Sequence, residues 1–264
     1  MARFLGVGLL ALAGMGAAAH AQAQAVADDH GDEDRWSFRL TPYVWGTATD
    51  GTFGHEWLPF ELHSSKRFSD ALDELDVGAM GLLEARKGRY GVVADGQFTK
   101  LATTLEAPIA GARLPVLLKT RVASGLLAFR YGLRESDTGN LDLIAGVRVW
   151  QARVRMAYAI PVPVPPPIPQ RYNGEQRRTW ADLQIGLKGR HAFANGTFVG
   201  GWALAGAGES NLSTDVMLLT GYRIDARWAV LLGYRWMSTD FKTRGGFAFD
   251  TAMRGPGLGV EYQF

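Results

Sequence analysis

The 264-residue sequence contains no cysteine, and its formal net charge at pH 7 is only +2. Without cysteine it has no disulfide framework, no thiol nucleophile and no cysteine-ligated zinc site. The nearly balanced charge argues against a dominant nucleic-acid-binding surface, so we expect no nucleic acid among its partners. Because 47% of the residues are hydrophobic and 20% are charged, the chain is also not an intrinsically disordered one.

Long apolar runs are missing as well, apart from one at the start of the chain. The later sequence has no run of 18 apolar residues, which excludes a helical inner-membrane protein. Residues 1–25 combine Arg3, an apolar core over 4–19 and repeated Ala-x-Ala sites such as Ala19-His20-Ala21. This combination predicts a cleaved signal peptide, followed by a disordered acidic leader at 26–34 and an exported domain at 35–264.

The exported part shows a repeat of two residues. Near its start, Trp36, Phe38 and Leu40 alternate with polar neighbours, which places the two sets on opposite faces of a β-strand. The same reading applied along the chain predicts ten strands, near residues 35–47, 76–87, 89–105, 117–134, 140–157, 179–193, 197–208, 213–224, 227–241 and 247–264.

The connections between these strands mostly alternate in length. Tight turn signals lie at 87–89, 136–140, 194–196 and 224–226, while longer connections are expected at 48–75, 106–116, 158–178, 208–213 and 242–246. This arrangement is typical of an all-β, up-and-down transmembrane barrel with antiparallel strands, short periplasmic turns and longer outer loops. Ten strands place both termini in the periplasm. Eight strands are the alternative, if one hairpin is a loop excursion.

The two faces of the predicted strands favour a membrane barrel over a soluble sandwich. One face carries apolar residues with aromatics near the strand ends, namely Trp36, Tyr90, Phe129, Tyr131, Trp180, Phe198, Tyr222, Trp228, Tyr234, Trp236 and Tyr262. Aromatic rings of this kind concentrate at the two bilayer interfaces. The other face carries charges that we expect to line the lumen, namely Arg39, Glu84, Asp95, Arg130, Arg148, Asp182, Lys188, Arg190, Arg223, Arg235 and Glu261.

Several segments, taken in order, resemble a group of uncharacterised proteobacterial outer-membrane β-barrels. They are 36–46, Phe68-Ser69-Asp70, 142–148, Gly233-Tyr234-Arg235 and 255–259. The resemblance implies residence in the outer membrane of a Gram-negative bacterium, surrounded by membrane lipid and lipopolysaccharide. Resemblance to the wider barrel class also implies that the barrel assembly machinery reads the C-terminal Phe264. The resemblance to this group implies no known activity.

The lumen offers the main functional hypotheses. The predicted lumen set has seven basic and four acidic members, and an unpaired charge among packed side chains is costly. Either the charges pair and fill the lumen of a structural surface protein, or the basic excess lines a narrow channel for small anionic solutes. We favour a closed or very narrow lumen.

Two loops could add to this function. Phe68, Leu72 and Leu75 follow a helical spacing, which indicates either a plug over the barrel mouth or a short helix on the rim. Residues 160–169 alternate proline with apolar residues, which favours a stiff polyproline II segment that spaces the loop or recognises a partner.

Catalytic chemistry has little support in the sequence. His55, Glu56, Glu61 and His63 could meet in the first outer loop as metal ligands, but we favour the alternative that they are ordinary polar loop residues. A Ser-His-Glu set of Ser64, His63 and Glu61 can be assembled only by choosing freely among the loop residues. His191 lies near a predicted periplasmic turn, on the wrong side for lipid A. We therefore expect no catalytic residues, no metal and no cofactor, with an outer-membrane hydrolase of lipid A or peptides as the alternative function.

Overall fold

The computed structural model describes residues 35–46, 48–54, 62–66, 75–109, 112–159, 171–242 and 248–264. None of these residues forms a helix long and apolar enough to cross a membrane. They form twelve β-segments: β1 (Ser37–Trp45), β2 (Ala48–Gly54), β3 (Leu62–Lys66), β4 (Leu75–Lys87), β5 (Tyr90–Ile109), β6 (Ala112–Ser136), β7 (Gly139–Ala159), β8 (Arg171–Ala192), β9 (Thr197–Gly208), β10 (Leu212–Arg223), β11 (Trp228–Lys242) and β12 (Ala248–Gln263).

The twelve segments make a closed antiparallel barrel of ten strands. β1 pairs with β4 on one side and with β12 on the other, which closes the sheet. β2 continues along β12 beyond the end of β1, and β3 pairs with β2 as β4 pairs with β1. The pairs β1–β2 and β3–β4 are therefore two interrupted strands. The predicted ten-stranded barrel is confirmed, and the eight-stranded alternative is wrong.

Four short turns and both ends of the barrel chain lie together, at what we call the turn end. The backbone groups of Phe38 and Phe264 exchange two hydrogen bonds of 3.0 Å there. Gly88 and Gly196 adopt φ values of 54° and 82°, which glycine reaches without steric cost. At the 225–227 turn, the Asp225 carboxylate accepts from the backbone N–H of Trp228 at 2.8 Å, which fixes the hairpin locally. The opposite end is the loop end.

Strands extend much farther at the loop end than the sequence pattern predicts. The expected connection at 106–116 is mostly strand, because β5 and β6 pair as far as Ile109 and Ala112. β7 and β8 likewise pair out to Ala159 and Arg171, and the expected first loop contains β2 and β3. The predicted strands are too short because the outward residues change from apolar to polar toward the loop end, although the backbone pairing continues.

The outer face of the barrel carries an apolar belt. Leu183, Leu218 and Val44 are 69%, 69% and 65% exposed, and on β7 the outward apolar residues run from Leu141 to Val149. About nine residues is the length a tilted strand needs to cross a bilayer. Outward aromatics at the turn end touch one another, as in the Phe38–Phe264 and Trp228–Tyr262 ring pairs at 5.5 and 4.6 Å.

Two predicted members of the outer aromatic set are wrong. Trp180 and Phe198 are each only 1% exposed and point into the barrel. The alternation itself shows why, since Trp180 shares the face of Asp182, and the inward Phe198 lies under the guanidinium of Arg190.

Several predicted segments lie outside the described residues. They are the signal peptide at 1–25, the leader at 26–34, the proline-rich run at 160–169 and most of the candidate plug, including Phe68 and Leu72. Leu75, the last predicted member of the plug, is the first residue of β4.

Candidate functional site

A buried cluster of opposite charges crosses the middle of the lumen. Arg235 on β11 donates to Asp95 on β5 at 2.7 Å and to Asp215 on β10 at 2.7 and 2.9 Å. Arg148 on β7 donates to Asp215 at 2.5 Å and lies 3.6 Å from Asp95. Tyr43 on β1 donates its hydroxyl hydrogen to Asp95 at 2.6 Å. The four charged side chains, here called the central cluster, thus tie four strands together across the barrel.

The central cluster is balanced in charge and almost entirely shielded from solvent. Its two arginines and two aspartates are each no more than 3% exposed. Arg148 also donates to the hydroxyl of Ser124 at 3.2 Å. Buried charges of this kind are tolerated only when they are paired and hydrogen-bonded, and removing one partner is strongly destabilising.

A second charged layer lies nearer the turn end. Arg190 forms a bidentate ion pair with Glu261 at 2.7 and 2.9 Å, and its guanidinium lies 3.6 Å from the centre of the Phe198 ring. Arg39 is 3.9 Å from Glu261, and Lys188 is 2.6 Å from Glu84. A cation of this layer therefore accompanies each of its two carboxylates.

The remaining predicted lumen charges lie around these layers. Arg130 pairs with Asp142 at 2.6 Å, and both side chains are buried. Asp182 accepts from the backbone N–H of Ser210 at 2.8 Å and also from its hydroxyl, near the loop end. Arg223 is half-buried close to the turn end.

Two acidic members of the interior, Asp142 and Asp215, are absent from the predicted set. Both occupy inward positions of their strands, Asp142 on the same face of β7 as Arg148. The period of two was sufficient to find them. With these two added, the predicted set has six carboxylates beside its seven cations, so its basic excess falls from three to one.

Between the central cluster and the turn-end layer lies a cavity of about 80 Å³. Its lining includes Tyr43, Glu84, Lys188, Trp202, Arg235 and Glu261. A space of this size holds a few water molecules.

An aromatic cluster fills the lumen on the loop-end side of the charges. Trp180 stacks on Trp150 and Phe241, with ring centres 6.1 and 4.4 Å apart, and Phe249 packs at 5.3 Å from it. Trp45 joins the same cluster and donates its indole N–H to the carbonyl of Gly255 at 3.1 Å. These rings therefore pack against one another across the described lumen at that level.

The residues considered for catalysis are not brought together in the described part of the chain. His55, Glu56 and Glu61 lie outside it, and of His63 and Ser64 only the backbone, in β3, is described. His191 lies at the turn end with its ring against that of Phe193, 5.0 Å away. Among the described residues, no group of three or more histidine and carboxylate side chains could hold a metal ion.

A closed antiparallel barrel with an apolar outer belt and a charged interior is the architecture of outer-membrane β-barrel proteins. The structure is similar to that of the outer-membrane protease OmpT from Escherichia coli, with a TM-score of 0.53 and 11% identity. The alignment covers 86% of this chain and 97% of that one. At this identity the likeness concerns the fold.

Two further solved barrels align over most of their length with lower scores. The translocator domain of the autotransporter NalP from Neisseria meningitidis has a TM-score of 0.44 and 12% identity, covering 91% of this chain and 92% of that one. Ail from Yersinia pestis has a TM-score of 0.36 and 10% identity, covering 88% and 99%. No protein-family model and no curated protein matches the sequence. Membership of the proteobacterial group that the motifs resemble therefore stays a prediction.

Proposed function

We propose that this protein spans the bacterial outer membrane as a barrel with a closed lumen and serves as a structural surface protein. The observation that carries the proposal is the filling of the lumen at two levels, by the central cluster and by the aromatic cluster. A channel for small anions would need a water path past both Arg235 and Trp180, whose side chains are buried. Since the described interior charges are nearly balanced, they also supply little anion selectivity.

The outer face supports this location in the membrane. Apolar side chains such as Leu183 and Leu218 are exposed around the barrel, and a soluble protein rarely exposes so large an apolar surface. The aromatics at the turn end fit one bilayer interface, while Tyr234 and Trp236 lie toward the other end of β11. Phe264 is 59% exposed and adds an aromatic ring to the turn-end group.

We expect the purified protein to be electrically silent in planar lipid bilayers. The reason is that ions would have to displace packed rings and break buried ion pairs. The measurement is single-channel conductance at high salt over both polarities. A folding check by heat-modifiable gel migration on the same sample ensures that silence reflects closed barrels rather than absent ones. Steady, anion-selective steps would show that the lumen is open and that the channel is the correct function.

A further inference from the structure

Strands β5–β8 carry a group of basic side chains on their outward face, just past the apolar belt at the loop end. Its members, together called the basic patch, are Lys100, Lys119, Arg121, Arg153, Arg155 and Arg177. Four of the six are exposed and the other two are half-buried, and Lys100 lies over the ring of Phe98 at 5.6 Å. The patch is separate from the charged lumen, because its residues occupy the opposite face of the sheet.

The strand register places four of these cations in one row. Lys100 is the direct partner of Arg121, Arg121 of Arg153, and Arg153 of Arg177. Side chains directly opposite each other on neighbouring strands have Cβ atoms about 5 Å apart, and like charges in that position are destabilising. Each cation in the row is therefore repelled by the cation on the neighbouring strand, across all four strands.

The described part of the chain supplies little to offset this repulsion. Glu175 is the one described carboxylate that contacts the patch, at 3.3 Å from Arg153 and 2.9 Å from Arg155. No ion pair joins Lys100, Arg121 or Arg177 to any described side chain. Among the described side chains, the six cations thus share one carboxylate, and a sheet with this arrangement is stabilised when an anion binds from outside.

The distance of the row from the apolar belt indicates which kind of anion it would meet. The last outward apolar residues below it are Phe98, Ala123, Val149 and Ala181, so the row lies about two to four residues farther along each strand. At about 3.3 Å per residue on a tilted strand, this is roughly 5–10 Å beyond the hydrocarbon, within the headgroup layer. The loop end faces the outer leaflet if the turns are periplasmic, as in other outer-membrane barrels.

We propose that the basic patch binds the phosphates of a phosphorylated glycolipid of the outer leaflet, of the lipid A type, a site that rests on the proposed outer-membrane location. Guanidinium groups match phosphate oxygens two at a time. The row crosses three strand spacings, roughly 14 Å, which suits a headgroup with phosphates at both ends of a disaccharide better than a single phosphodiester. The acyl chains would lie along the belt below, against Leu127, Val149 and Leu183.

The test compares lipid retention by two variants of equal charge. In the patch variant, Arg121, Arg153 and Arg177 are replaced by Gln. In the control variant, Arg89→Gln, Arg134→Gln and Arg227→Gln remove three exposed cations at the turn end. Native mass spectrometry in detergent, with lipid A added, then measures bound lipid per barrel.

We expect wild type and the control variant to bind lipid A alike, and the patch variant to bind it at least about tenfold more weakly. A single Arg121→Gln variant should lie between them. Because the substitutions remove repulsion, the patch variant should melt no lower than wild type in lipid-free detergent. Added lipid A should raise the Tm of wild type and of the control variant, and leave that of the patch variant unchanged.

Three results would overturn the proposal. They are equal lipid A binding by the patch and control variants, equal binding of lipid A stripped of both phosphates, and equal binding of phosphatidylglycerol, which would make any anionic lipid sufficient. Fractionation of cells producing wild type tests the location separately. A barrel found outside the outer membrane would refute the proposed location, whereas correct location with unchanged lipid binding would refute the patch alone.

Discussion

Replacing Arg235 by Met should destabilise the barrel by about 3–5 kcal/mol, because it leaves two buried carboxylates with a single remaining cation. Arg235 contacts both Asp95 and Asp215, and its guanidinium also donates to the hydroxyl of Tyr43 at 2.7 Å. Methionine is similar in length but carries no charge. The packing is therefore largely kept, while the positive charge that balances the two carboxylates is lost. The measurement is the free energy of unfolding in lipid vesicles, followed by tryptophan fluorescence during urea titration.

Two further variants separate the loss of charge from the loss of packing. Adding Asp215→Asn to Arg235→Met restores the balance, with Arg148 facing Asp95, and should recover a substantial part of the lost stability. Arg155→Met removes an arginine that is 57% exposed and paired with Glu175, and it should cost less than about 1 kcal/mol. An Arg235→Met barrel as stable as wild type would show that the central cluster does not hold the lumen together.

The period of two was enough to predict the barrel, its ten strands and its turns. Each local signal, such as the turn glycine Gly88, agrees with the closed sheet that forms. The strand ends at the loop end could not be read in the same way. On β8 the outer face changes from apolar to polar and charged on the loop-end side of Ala181, and alternation in hydrophobicity fades there. The backbone nevertheless pairs from Arg171, eight residues before the predicted start of the strand at 179.

The faces of the strands were predictable, but the contacts within the lumen were not. Alternation places Asp95 and Arg235 inside, yet 140 positions separate them along the chain. Which cation meets which carboxylate depends on the register of all the intervening strands and on the stagger of the closed sheet. The same limit applies to the aromatic cluster, where Trp150 and Trp180 are neighbours across β7 and β8 while Phe241 and Phe249 reach them from the far side of the barrel.

Adding one methyl group inside the barrel should disturb it more than adding the same group outside. A Cβ at Gly186 on β8 would lie 1.9 Å from the carbonyl oxygen of Ala203 and 2.8 Å from the Cα of Leu204. These are backbone atoms of the neighbouring strand, so they can move only if the β8–β9 pairing shifts. We expect Gly186→Ala to cost about 1–3 kcal/mol or more, or to prevent folding, measured by urea titration and by heat-modifiable migration.

Gly125→Ala is the matched control for this effect. Gly125 also lies within a strand, β6, but it faces outward, and a Cβ there would meet nothing within 4 Å. Alanine at that position should be neutral or slightly stabilising, because glycine loses more backbone entropy on folding. The difference in stability between the two variants measures the cost of shifting the β8–β9 pairing at Gly186. Equal stability of Gly186→Ala and Gly125→Ala would show instead that the β8–β9 pairing shifts at little cost.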